Sequence, residues 1–233
     1  MNQDIFDYFA NKEYFDDHDD WISEHLDKYF QSEEISVFHE FIAFDFKVHI
    51  YFIQPKKYSF NILLSSGMSS LKMNVPDEVE NKKELEFSEL MMLIPKDITF
   101  SEVYTGESKN DYLISMLKHS AKFPHFNETW MGIGHTICAD ENYGPYSNET
   151  NFVGGVLLPS VTFDEDFTKI KREGTIINLY TFFPLFKNEI KYKIKNGYSA
   201  LFDLLIKSNM KETFDNNRNN LIPKKSFWNR LKL

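Results

Sequence analysis

Cysteine is almost missing from this chain. Cys138 stands alone among 233 residues, so no intrachain disulfide can form and a disulfide-stapled scaffold is excluded. Long hydrophobic runs are missing as well. No uncharged apolar stretch approaches the roughly 20 residues that span a bilayer, and the opening MNQDIFDYFANKEYFDD is acidic and broken by charge, unlike an export signal. Positive charge is scarce, 26 Lys and Arg against 35 Asp and Glu for a net charge of −9, which speaks against a nucleic-acid-binding surface. The expectation is a soluble, cytoplasmic protein with no membrane segment and no direct contact to nucleic acid.

Aromatic residues fill the place of a leucine-rich core. The chain holds 23 Phe and 12 Tyr, and each buried aromatic side chain contributes roughly 2–3 kcal/mol, enough at this length for one large domain. The charge is unevenly placed. The first 34 residues carry eleven carboxylates, among them Asp16, Asp17, Asp19 and Asp20, against Lys12 and Lys28 alone, which accounts for the whole net charge. The far end leans basic, with Lys207, Lys211, Arg218, Lys224, Lys225, Arg230 and Lys232. Two readings follow: a pair of solvated faces, or an acidic docking surface for a basic partner, since opposite charge steers encounter. The chain divides into an acidic N-terminal segment (1–19), a folded domain (20–206) and a basic tail (207–233).

Periodicity sets the order of elements. Asp20 to Phe30 places Trp21, Ile22, Leu26, Tyr29 and Phe30 on one side of a helix, with Asp16, Asp17 and Asp19 before it where carboxylates suit the helix dipole. Ile35 to Ile42, the alternating Phe46-Val48-Ile50-Phe52 and Phe60 to Leu64 predict an antiparallel meander. Ser65 to Pro76 reads as a loop whose spacing fits neither a nucleophile elbow nor a phosphate loop. Glu89 to Pro95 is a short apolar run, expected as a strand buried on both faces. Leu113, Ile114, Leu117 and Ala121 predict a helix stopped by Pro124, followed by a glycine-broken strand over Thr129 to Ile137 with Trp130 in the core. Val153 to Leu158 and Thr175 to Phe183 are further strands, Asp164 to Glu173 is charged, and Pro184 to Lys195 and Ala200 to Lys207 are helices. The fold class is α+β: a central mixed, largely antiparallel sheet with packed helices.

No constellation predicts catalysis. His119, His125, His135 and Cys138 lie close in sequence, but their spacing is wrong for a zinc site. The paired carboxylates, mainly in the acidic N-terminal run, are expected to be uniformly solvated rather than set in unlike environments. A catalytic site, a metal and a cofactor are therefore not expected, which favours a binding protein.

Four runs carry a family resemblance: FHEFIAFDFKVHIYFIQP (Phe38 to Pro55), LLSSGMSSLKMNVP (Leu63 to Pro76), ELMMLIP (Glu89 to Pro95) and KHSAKFPHFNETWMGIGHTI (Lys118 to Ile137). They resemble the suppressor-of-fused (SUFU) family, over roughly residues 20 to 206. The family positions matched are Ser66-Gly67-Met68, Met73-Asn74-Val75-Pro76, Pro124-His125, Trp130 and Gly134-His135-Thr136, expected to shape the fold rather than touch a partner. The resemblance implies protein binding. Animal members restrain Gli-type transcription factors with this domain and a second one, and the present chain is too short for both. Single-domain bacterial relatives imply an immunity or antitoxin protein that binds a cognate toxin. The charge adds that this toxin is basic, a nuclease being one way to be so. A regulatory interaction module of another kind and an enzyme with an unrecognised site are the alternatives.

Overall fold

Four strands near the N-terminus pair in the order they are made. The computed structural model describes residues 3–40, 43, 45–101 and 108–222. After helices α1 (Gln3–Ala10) and α2 (Asp17–Asp27) come β1 (Ile35–Phe38), β2 (His49–Ile53), β3 (Phe60–Ser66) and β4 (Phe87–Pro95). Each is antiparallel to the one before. Helix α3 (Tyr112–Phe126) follows, then β5 (Thr136–Cys138), β6 (Gly154–Leu158), α4 (Glu165–Thr168), β7 (Lys169–Arg172), β8 (Thr175–Leu185), α5 (Lys187–Asn196) and α6 (Tyr198–Lys207). The sheet runs β1-β2-β3-β4-β8-β6-β5, with β7 also paired to β8. Among the described residues only the β4–β8 pairing is parallel, so the sheet is mixed and largely antiparallel and the fold is α+β.

The two-residue period of the strands sorts apolar side chains onto two faces. Ile50 and Phe52 of β2 and Leu90, Met92 and Ile94 of β4 join Leu113, Ile114 and Leu117 of α3 in one cluster. Ile53, Ile62, Leu64, Met91 and Leu93 join Trp21, Ile22 and Leu26 of α2 in another. Because β4 lies between both layers, its residues from Phe87 to Ile94 are all buried, as its unbroken apolar run predicts. A third cluster joins Val156, Phe183 and Leu185 to Ile190 of α5 and to Leu201 and Leu205 of α6.

Several local expectations are corrected. Pro124 does not stop α3, which runs on to Phe126; the last turn is anchored because Thr129 N–H bonds the Pro124 carbonyl and His125 reaches into the core. The expected strand from Thr129 shrinks to β5, since Gly134 takes φ +86° against the Tyr198 ring and turns the chain. Pro184 lies inside β8 opposite Gly155, not in the first turn of a helix, and α5 starts at Lys187. The charged stretch Asp164 to Glu173 forms α4, capped by Asp164 accepting the Phe167 N–H, and β7. Strand β1 ends at Phe38; Phe41 and Ile42, and the tail from 223, lie outside the described residues.

Beyond α6 the chain is fastened to the domain. Phe214 is buried and donates its N–H to the Leu93 carbonyl at 2.7 Å. Arg218 grips fully buried Glu189 with two bonds of 2.7 and 2.6 Å, and its guanidinium lies over the rings of Phe152, Phe183 and Phe186. Glu189 also accepts the N–H groups of Phe186 and Leu221. Removing one partner of a buried pair strands the other charge. Arg218→Ala is expected to lower stability by roughly 3–5 kcal/mol in urea melts, whereas a solvated arginine would cost under about 0.5 kcal/mol.

Candidate functional site

The serine-rich run after β3 is bound from every side. Gly67 takes φ +120°, and a Cβ there would sit 2.1 Å from the Lys47 carbonyl oxygen, so only glycine fits. The turn Met68–Ser70 follows. Beneath it lies Glu89 of β4, fully buried. Its Oε1 accepts the N–H of Gly67 (3.0 Å), the N–H of Ser69 (2.8 Å) and the Ser69 hydroxyl (2.7 Å). Its Oε2 lies 2.5 Å from Ser65 Oγ, which itself accepts the Leu90 N–H. Carbonyls of the same turn face two histidines. His18 Nδ1 on α2 bonds Ser69 O at 2.7 Å, and His125 Nε2 on α3 bonds Met68 O at 2.8 Å. Both rings must donate there, which fixes the proton-bearing nitrogen of each.

Burial sets the charges of this knot. It pushes His125 down to about 4 and lowers His18, leaving neutral rings that suit carbonyl partners. It pushes Glu89 up to about 7, with the charge of Asp19 adding to the effect and the serine donors offsetting part of it.

The acidic start of α2 sits on this loop. Phe15 N–H bonds Ser70 O at 2.9 Å, and Ser66 Oγ donates to Asp19 Oδ1 at 2.6 Å. Asp16, Asp17 and Asp20 are exposed, Asp19 is half-buried, and among the described residues none of the four forms an ion pair. Beside the loop a cleft of about 490 Å³ is lined by Met73 to Pro76, Pro124 and His125, facing Tyr8 and Phe9 across it. Met73 and Val75 are buried, and the Met73 and Asn74 N–H groups bond the Glu86 and Thr129 carbonyls.

The remaining motif residues lie apart from the knot. His135 Nδ1 accepts the Gly132 N–H, Gly134 N–H bonds Leu157 O, and Thr136 pairs with Val156 in β5. Trp130 is half-buried, packed against the core cluster with its ring edge-on to His135, rather than fully buried within it. His119 bonds the Cys138 carbonyl instead of joining the other histidines, and among the described residues no three His, Cys, Asp or Glu side chains group as metal ligands would. Sequence reasoning missed Glu89 and His18 altogether. The signal for Glu89 was a carboxylate opening a run destined for burial on both faces.

The family model described as Suppressor of fused protein (SUFU) matches residues 45–219. This chain belongs to the SUFU family. No curated protein sequence matches it. Among solved structures it resembles a protein described as a SUFU homologue from Neisseria gonorrhoeae FA 1090, with TM-score 0.62 and 13% identity over 90% of this chain and 99% of that one. It also resembles a chain of the Sufu–Fu complex, with TM-score 0.58 and 11% identity over 91% and 93%. These likenesses concern the fold, the mixed sheet with its helices. The family match starts at Asp45, so the acids of α2 lie outside it, while the serine loop that holds them lies within. No helix among the described residues is long and apolar enough to cross a membrane.

Two outcomes test this geometry. Trp130→Ala should cost roughly 1–2 kcal/mol in urea melts, less than the ~3–5 kcal/mol of a fully buried large aromatic. His125 is depressed in the fold, so its contribution is complete above its ordinary 6.5 and is lost as pH falls toward about 4. Stability measured from pH 7 to pH 4 should therefore fall by roughly 3 kcal/mol more in the wild type than in His125→Gln.

Proposed function

We propose that this SUFU-family chain is a protein-binding domain that neutralises a cognate toxin, covering or blocking its working site, and that the acidic start of α2 faces a basic partner. Family membership supports protein binding: SUFU domains are protein-interaction domains, and one structural neighbour is a Sufu protein in complex with Fu. The chain covers 99% of the bacterial homologue. The observation that carries the choice of surface is the exposure of Asp16, Asp17 and Asp20 on a helix start held by bonds from Phe15, His18 and Asp19. Carboxylates fixed in place, with no ion pair among the described residues, project a field that a basic surface, such as that of a nuclease, would meet. Regulatory binding of a protein other than a toxin is the alternative, and the product of the neighbouring gene distinguishes the two.

The test is kinetic. Such charges act mainly on association and its salt dependence. With the partner recovered from the native host, Asp16→Asn, Asp17→Asn and Asp20→Asn combined should slow association roughly tenfold at low salt, flatten the salt dependence and leave dissociation nearly unchanged. Unaltered rates across a salt series would remove the acidic surface from the contact. A partner whose activity is not inhibited on binding would remove the toxin.

A further inference from the structure

Two strands meet β8 on the edge away from β4. Strand β6 ends at Leu158, opposite Thr181, and β7 begins at Lys169, opposite Asn178. Leu179 and Tyr180 fall in the gap between them, and a hollow of about 280 Å³ lies there. Side chains two apart share one face of a strand, so Asn178 and Tyr180 stand together. Both line the hollow, although they are only 5% and 6% exposed.

Neither has spent all its polar atoms. Asn178 Nδ2 donates to the Glu84 and Phe87 carbonyls at 2.6 and 3.3 Å, which leaves Oδ1 as an acceptor with no donor among the described residues. The Tyr180 hydroxyl makes no hydrogen bond among the described residues, and burial alone pushes it up to about 12, so it keeps its proton. Buried polar groups are ordinarily satisfied, so two on one floor point to a ligand. Glu84 at the rim is exposed and forms no ion pair among the described residues. The other polar groups are committed: Lys169 to Glu165, and Thr168 Oγ1 to the Asp164 carbonyl. The walls are apolar, with Pro159, Phe163 and the exposed Ile133. Ile133 is held by the motif turn, in which Gly134 N–H bonds the Leu157 carbonyl and Gly132 N–H bonds His135.

We propose that this hollow receives a guanidinium group, the arginine side chain of a partner protein. The uncommitted atoms are an amide oxygen, a carboxylate and a hydroxyl that can accept, and a guanidinium brings five donors and no acceptor. Asn178 and Tyr180 leave the strand roughly 7 Å apart, a separation that a planar fork bridges better than the point charge of a lysine. The aliphatic stem lies along Ile133, Pro159 and Phe163. The volume is at the small end for ligand pockets, which suits one side chain. That the arginine belongs to a toxin rests on the proposed function; the affinity for guanidinium does not.

Nuclear magnetic resonance titration of the full chain with n-propylguanidinium, the arginine side chain without its backbone, tests this with no partner present. Shifts should saturate at the Ile133 and Tyr180 amides and at the Asn178 side-chain amide. Propylurea, of similar shape but uncharged, should bind about tenfold more weakly, and Glu84→Gln should weaken propylguanidinium binding by about the same factor. Tyr180→Phe should weaken it about threefold. Because that hydroxyl has no structural partner, Tyr180→Phe should be no less stable than the wild type in urea, which separates lost binding from lost fold. Propylurea binding as tightly, shifts centred on Asp16, Asp17 and Asp20 instead of the hollow, no saturable shift, or unaltered binding in either variant overturns the proposal. So does a Tyr180→Phe variant that unfolds at lower urea, since its hydroxyl would then be holding the fold.

Discussion

A carboxyl group with no ion pair among the described residues, sealed between two helical layers, is the constraint around which the rest of this structure is arranged. Glu89 needs donors, and the chain provides them by bending a serine-rich segment over it, which requires Gly67 to take a backbone form closed to other residues. The bend turns carbonyls outward, and these in turn need donors. Neutral histidines arrive from α2 on one side and α3 on the other. An unmade hydrogen bond at any of these points would leave a buried polar group costing about 1–3 kcal/mol. Each member of the knot therefore holds the next, and the two helices are set relative to the sheet by polar bonds as well as by apolar packing.

A second fully buried carboxyl group is handled by the opposite means. Glu189 has a full guanidinium partner in Arg218, with three phenyl rings against its flat face. An ion pair of this kind fixes the position of both partners, whereas Glu89 is held by neutral donors alone.

What could be read in the sequence depended on how local the cause was. The meander was legible because its period-two pattern lies within each strand, and β4 because nothing but burial explains Leu90 to Ile94. The family runs were legible for the same reason and pointed to the loop and the cleft. Pro184 and Pro124 misled, since proline biases neighbouring backbone while tertiary bonds decide the outcome. Trp130 misled because size favours burial but does not assign it. Glu89, His18 and Arg218 were illegible for a deeper reason: the partners of Glu89 lie 20 to 24 residues away, the side-chain partner of His18 lies 51 away and Glu189 lies 29 from Arg218, and no spacing rule reaches across such gaps.

The family match begins after α2, yet the bonds that seat α2 are made to residues within it. That arrangement separates what can drift from what cannot. Phe15, His18 and Asp19 are tied into the loop, so change there is felt by the sheet. Asp16, Asp17 and Asp20 are exposed, and exchanging them should alter stability by no more than about 0.5 kcal/mol. A lineage could rewrite the charge pattern at those three positions many times while keeping the helix, its angle and its seat unchanged.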